Sequence, residues 1–241
     1  MSKFIPKYKY RRGIRTIERI INPYIKQALS LPFEELEERS KSDKSFTFLH
    51  SIACYTRDPK VIRDQLVAVL LAGRDTTAAT LSWTMYELSR YPAIYSRLRS
   101  EILSVVGPER DPSYEDLRSM GYLYHTLNET LRLYPAVPFN IRAALADTTL
   151  PGRPGHPEIR LLQGDAVVYS TLAMQRQREL YPPVSEAFAD PALFSPDRWE
   201  KWTPKPWQYV PFNGGPRICV GQNFALTEMA FCRGLPAPTT F

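Results

Sequence analysis

Residues 212–221 read FNGGPRICVG, a single cysteine, Cys219, set among Gly214, Gly215, Pro216, Arg217 and Gly221. Glycine is used where a backbone must turn sharply or come close to another body, so the loss of side chain around one sulfur asks for a reason. A phosphate-binding loop places Lys and then Ser or Thr after its last glycine, and here Gly221 is followed by Gln222. A cysteine nucleophile needs a histidine base, and His50, His125 and His156 lie in no motif that nominates one. Structural zinc needs four ligands, which are not gathered at any recognisable spacing. A lone cysteine is otherwise a small buried hydrophobe, a reading that suits ordinary surroundings better than these.

The neighbours point to a ligand instead. Gly214 and Gly215 leave room for a large flat body, and Gly221 lets a following helix approach the sulfur. That helix, about residues 220–231, would begin at Cys219, so its unpaired N–H groups and positive end would stabilise a thiolate. Arg217 adds a forked donor suited to a carboxylate. Thiolate, flat ligand and carboxylate partner together describe haem with its propionates.

The rest of the chain bounds this reading. With 241 residues, 44% apolar and 12% aromatic, it buries a substantial core and is too apolar for a disordered protein. Its net charge of +6 is concentrated at one end, where Lys3, Lys7, Lys9, Arg11, Arg12, Arg15, Arg19 and Lys26 face only Glu18. A basic excess so confined argues against a dedicated nucleic-acid surface and leaves a solvated helix face or a contact with an acidic surface. Cys54, Cys219 and Cys232 have no regular spacing, which disfavours a disulfide framework and favours a reducing compartment. No apolar run reaches the roughly 18 residues of a membrane span. The opening MSKFIPKYKYRR has no apolar core of a signal peptide.

Most of the 22 prolines lie from Pro135 onward, so helices are expected early and irregular structure late. Helices are predicted over 12–30, with a possible kink at Pro23, and over the acidic stretch FEELEERSKS. A third, about 45 Å long, runs from the N-cap Asp58 and Pro59 to the stop at Pro92. Its middle, LVAVLLAG, is apolar on all sides and is expected to cross the interior, which would bury the polar turn Arg74, Asp75, Thr76 and Thr77. Further helices are expected over 92–106 and 120–134, and short strands near 137–144, 159–162 and 166–170. Residues 181–216 are proline-rich and irregular, a length that calls for a functional reason. On the helix before Pro135, Glu129 and Arg132 share a face and are flanked by Leu127, Leu131 and Leu133. Such a pair is a weak surface bridge if exposed and needs a third partner if buried.

The stretch Phe212, Gly215, Arg217, Cys219, Gly221 resembles the haem-binding loop of the cytochrome P-450 family. The resemblance implies a mainly α, partial P-450 fold: a long central helix, small β elements and an irregular proline-rich haem-binding segment. It covers residues 20–230 of a domain spanning 1–241, with a basic segment at 1–19 and an atypical tail at 232–241. The likeness makes Cys219 the axial ligand of the haem iron, with Phe212, Gly215, Arg217 and Gly221 around it and Arg142, in VPFNIRAA, at a propionate. It also pairs Glu129 and Arg132 with Arg198, in Pro196-Asp197-Arg198-Trp199, as a structural triad. AGRDTT, residues 72–77, resembles the family's oxygen-activation turn, with Thr76 loosening the helix ladder and Asp75 passing protons inward.

The implied chemistry is that of a haem-thiolate monooxygenase. O2 and electrons from an NADPH-dependent reductase would place one oxygen atom in a C–H bond of an apolar substrate. FEELEERSKS, RDPKVIRDQLVAVLLAGRDTT and GPRICVGQNFALTE look most like the fungal branch that hydroxylates n-alkanes and fatty acids at the chain end. Members of that type are usually intracellular and anchored in the endoplasmic-reticulum membrane, and no anchor is expected in this chain. The resemblance corresponds to the second half of a family member, so the rival expectation is a truncated product that keeps the motifs but does not hold haem. In AMQRQREL many relatives carry His where Gln175 stands.

Overall fold

The computed structural model describes residues 8–42 and 47–234. Residues 1–7 of the basic segment and 235–241 of the expected tail lie outside the described residues. The chain divides into two compact units, Met1–Arg74 and Asp75–Phe241.

In the first unit, α1 (Tyr8–Ser30) contains Pro23 without being ended by it. Proline removes one ladder hydrogen bond. The helix persists because Ile21, Ile25 and Ala28, spaced on one face, are buried with Leu36 of α2 (Phe33–Ser42), Ala53 of α3 (Phe48–Tyr55) and Ile62 of α4 (Pro59–Arg90). Arg57 donates to the carbonyls of Leu29 and Leu31 at 2.6 and 2.8 Å, satisfying groups left open where α1 ends. At the start of α4, Asp58 Oδ1 accepts from Lys60 N–H at 2.8 Å, the cap that the sequence leads one to expect.

The middle of α4 departs from expectation. Val69, Leu70 and Leu71 are exposed, as is Asp75, so the predicted interior crossing is not seen among the described residues.

The second unit is built on α5 (Pro92–Val105), α6 (Tyr114–Ser119), α7 (Gly121–Leu133) and α10 (Gln222–Gly234), which bury Leu98, Ile102, Leu117, Leu123, Leu127 and Met229 together. Glu101 of α5 accepts from the Tyr122 and Leu123 N–H groups at 2.9 and 2.8 Å, so a carboxylate from another helix caps the positive end of α7. Thr84 of α4 donates to Thr130 of α7 at 3.1 Å, and Trp83 stacks on Tyr134 with ring centres 4.2 Å apart.

Two antiparallel pairs follow: β1 (Phe139–Ala143) with β4 (Ala166–Ser170), and β2 (Thr148–Leu150) with β3 (Ile159–Leu161). Short α8 (Thr171–Met174) and α9 (Arg198–Lys201) complete the chain of elements. Tyr181 and Phe188, between them, join Trp202, just after α9, in a small aromatic core for the proline-rich segment. The result is a mainly α architecture with small β elements.

Candidate functional site

Local backbone geometry builds the cysteine loop. The Asn213 N–H donates to the Val210 carbonyl at 3.2 Å, and the Ile218 N–H to the Gly215 carbonyl at 3.1 Å. The Cys219 N–H then closes the loop on the Phe212 carbonyl at 2.8 Å. Asn213 and Gly215 hold φ of 63° and 65°, the left-handed region that Gly and Asn tolerate best.

The two adjacent glycines serve different purposes. A Cβ on Gly214 would come within 2.5 Å of the Trp207 ring, so this glycine admits the indole rather than a ligand. A Cβ on Gly215 would meet nothing within 4 Å, and this is the glycine with open space beside it. Gly221 lies close to the sulfur, its ideal Cβ 4.0 Å from Cys219 Sγ.

Helix α10 starts at Gln222, later than the expected start at the sulfur. A turn intervenes, in which the Gln222 N–H reaches the Cys219 carbonyl at 3.4 Å while the Ala225 N–H bonds the Gly221 carbonyl at 2.9 Å. The Cys219 side chain is exposed, as are Ile218, Val220 (95%) and Phe224 (72%) beside it. The sulfur is open, and the apolar residues next to it in the chain are uncovered. Arg217 and Arg142 are both exposed, and the Arg142 guanidinium lies 5.6 Å from the Tyr169 ring centre.

Glu129, Arg132 and Arg198 meet with no exposed side-chain surface. Arg132 donates to both Glu129 oxygens at 2.8 Å, and Arg198 Nε reaches Oε1 at 3.3 Å. The Ser195 N–H and the Trp199 indole N–H add bonds of 2.9 and 3.0 Å to the same carboxylate. One carboxylate thus faces two guanidinium groups. The remaining positive charge is met by carbonyl dipoles, with Arg198 donating to Ala189, Asp190 and Leu193 at 2.8, 3.0 and 3.3 Å. The rings of Phe188 and Tyr181 lie 4.9 and 5.6 Å from it.

Burial pulls the Arg198 pKa down, and the neighbouring Arg132 charge adds to this. Arg132 also loses solvation, but its bonds to Glu129 outweigh that and hold its pKa up. Burial pushes the Tyr209 hydroxyl well above its usual range, with the Glu129 charge adding to the rise. That hydroxyl is bonded to the Asn128 carbonyl at 3.2 Å.

Two residues of this region carried no recognised role in the sequence. Gln175, fully buried, donates to the Leu131 and Arg132 carbonyls at the end of α7 and accepts from the Val210 N–H at 2.9 Å. Asn213 joins the loop to the β1–β4 pair, donating to Asn140 Oδ1 at 2.9 Å and accepting from the Tyr169 hydroxyl at 3.0 Å. The departure from His at 175 was the signal for the first. Nothing in the sequence marked the second.

The polar turn of α4 differs from its expected setting. Thr76 is half-buried, its carbonyl accepting the Thr80 hydroxyl at 3.0 Å, and the helix runs unbroken through it. Thr77 is the buried threonine of this turn, and its hydroxyl has no partner among the described residues. Because Asp75 is exposed, no burial penalty has to be explained there.

These features define a cysteine-loop fold anchored by a buried Glu-Arg-Arg cluster, and comparison with known proteins gives it a family. The chain belongs to the cytochrome P450 family, whose model, Cytochrome P450, matches residues 3–234. It is 52% identical over 237 residues to cytochrome P450 monooxygenase pvhE of Talaromyces variabilis, covering 96% of this chain and 44% of that protein. It is 44% identical over 233 residues to cytochrome P450 52A1 of Candida tropicalis, covering 92% of this chain and 41% of that protein. Among solved structures, the heme domain of cytochrome P450DA superposes with a TM-score of 0.63 at 28% identity, over 74% of this chain and 38% of that one. The chain spans less than half the length of the relatives it matches.

The family's cofactor is haem held through a cysteine thiolate, and the residues present fit it. Cys219 offers an accessible sulfur, Gly215 leaves open space, and Ile218, Val220 and Phe224 offer apolar contact. Among the described residues no group of three His, Cys, Asp or Glu is placed to hold a metal ion. Among the same residues no helix is long and apolar enough to cross a membrane.

Proposed function

We propose that this chain carries the haem-binding part of a monooxygenase that inserts one oxygen atom from O2 into a C–H bond of an apolar substrate. The substrate class is the chain end of an n-alkane or fatty acid. The observation behind this reading is the exposed Cys219 sulfur in the Phe212–Gly221 loop, held by the Phe212 carbonyl and bordered by uncovered apolar side chains. When bound, haem supplies reductive activation of O2, and thiolate donation favours O–O cleavage.

The chain's own residues have distinct tasks in this reading. Cys219 would supply the thiolate that holds the haem iron, while Phe212, Gly215 and Gly221 would shape the space around it. Arg217 and Arg142 would hold its propionates as forked donors. Asp75 and Thr76 move protons toward the oxygen site, a role that an exposed carboxylate beside a half-buried hydroxyl can fill by exchange with solvent. Glu129, Arg132 and Arg198 fix the proline-rich segment. Electrons come from an NADPH-dependent reductase, and the working protein sits at the endoplasmic-reticulum membrane.

A second reading is favoured by one observation. Val69, Leu70 and Leu71 in the middle of α4 are exposed, as apolar surface that a stable oxygenase covers. In that reading the chain keeps the motifs and does not retain haem.

One experiment separates the two. The expressed chain is supplied with haem, and its reduced carbon monoxide difference spectrum is recorded for wild type and Cys219→Ala. A red-shifted thiolate-type Soret band that disappears in the variant supports the oxygenase. Absence of haem uptake by the wild type supports the second reading.

A further inference from the structure

We infer that Asn213 is a positioning residue that locks the cysteine loop to the strand carrying Arg142, so that sulfur and guanidinium hold a fixed relation. The inference rests on the reading of this loop as the haem site. At φ 63° Asn213 lies in the left-handed region, which costs asparagine less than most residues but more than glycine. Its side chain shows what offsets that cost, because both ends of the amide are engaged: Nδ2 donates to Asn140 Oδ1 at 2.9 Å and Oδ1 accepts from the Tyr169 hydroxyl at 3.0 Å.

The partners are not arbitrary. Asn140 and Tyr169 are directly paired across β1 and β4. Successive side chains of a strand alternate between faces, so Arg142 shares the face of Asn140. The Arg142 guanidinium also lies over the Tyr169 ring, at 5.6 Å from its centre. Tyr169 therefore touches the loop through its hydroxyl and the arginine through its ring.

On the loop side, Asn213 directly follows Phe212, whose carbonyl receives the Cys219 N–H at 2.8 Å. The path from arginine to sulfur runs Arg142, Tyr169, Asn213, Phe212, Cys219, through packed or bonded contacts at each step. Glycine at 213 would satisfy the backbone equally well and provide none of this coupling.

The test compares wild type with Asn213→Gly, which keeps the backbone freedom and removes the clamp, and Asn213→Asp, which keeps it. In the latter the carboxylate still accepts from Tyr169, and the Asn140 amide reverses to donate. Hydrogen exchange of the 210–220 amides is read in the haem-free full chain. Exchange about tenfold faster in Asn213→Gly, near wild type in Asn213→Asp and with unchanged far-ultraviolet circular dichroism supports the clamp. Unchanged exchange in Asn213→Gly overturns it. If that variant does not fold, Tyr169→Phe removes the same bond from the sheet side, and its exchange rate decides in the same two directions.

A haem titration adds the readout that a merely structural role would not move. Arg142→Ala is expected to weaken haem binding in the wild-type background and to have an effect smaller by roughly threefold or more in Asn213→Gly. Strictly additive effects overturn the coupling. Should wild type bind no haem, the proposed function fails, and the exchange measurement still decides whether the clamp exists.

Discussion

Gln175 and Val210 are joined by a 2.9 Å hydrogen bond from the Val210 N–H to the buried Gln175 side-chain oxygen. The same side chain donates to the Leu131 and Arg132 carbonyls, so one amide ties the last turn of α7 to the segment that leads into the cysteine loop. Replacement by Leu leaves a backbone donor and two carbonyls short of partners in a dry site. Gln175→Leu is expected to destabilise the chain by about 2–4 kcal/mol. Gln175→His, which restores one donor and one acceptor, is expected to recover part of that. Urea unfolding midpoints of the three proteins check this.

The Glu129 carboxylate is the only anion facing Arg132 and Arg198 among the described residues. Glu129→Gln keeps the shape and leaves two buried guanidinium groups without a counter-charge, at an expected cost of about 3–5 kcal/mol. Arg198→Met, which removes the less well compensated cation, is expected to cost less than Glu129→Gln. Denaturant titration of both variants gives the order, and the reverse order would contradict this charge assignment.

Stability is expected to fall in alkali. Burial raises the Tyr122 pKa to about 12, and burial followed by the bond to Glu87 raises Tyr134 to about 12, from an ordinary value of 10.0. The folded chain thus keeps protons that the unfolded chain releases. The stabilisation is intact below pH 10 and declines as pH rises through the folded values. Unfolding midpoints measured across that range should slope downward, and Tyr134→Phe should flatten the slope.

At Gly215 the cost of a side chain is conformational rather than steric, because φ is 65° and the space beside it is open. Gly215→Ala is expected to destabilise the haem-free chain by only about 1 kcal/mol. Haem affinity should fall further than that, since the new methyl enters the open face. Thermal unfolding without haem and titration with it separate the two effects.

The exposed run on α4 gives a solubility prediction. Leu70→Lys with Leu71→Glu removes uncovered apolar surface without touching a buried side chain. Light scattering should report less self-association, while the unfolding midpoint stays within about 0.5 kcal/mol of wild type.

The parts of this molecule that were legible in its sequence are those where a residue type leaves few choices. Asp58-Pro59 and Pro92 bracket α4 because proline is favoured in the first helical turn and breaks a helix elsewhere, and the structure has Pro59–Arg90. Glu129 and Arg132 announce a shared face through their spacing. The roles of Asn213 and Gln175 were not legible, although the departure from His marked position 175, because each acts through partners that are distant in sequence, and the Gln175 side chain bonds only backbone groups. Gly214 was read as space for a ligand, yet that space belongs to the Trp207 ring, whose return to the loop no local pattern announces. The apolar middle of α4 reads as an interior crossing, yet Val69, Leu70 and Leu71 are exposed among the described residues.

The carbonyl shell around Arg198 has a consequence for how the proline-rich segment comes apart. Ala189, Asp190 and Leu193 share one cation, so the loss of any of them leaves Arg198 short of a carbonyl partner inside an aromatic pocket. Fraying there is suppressed, and a protease should find its first cut in this stretch only when α7 lets go as well.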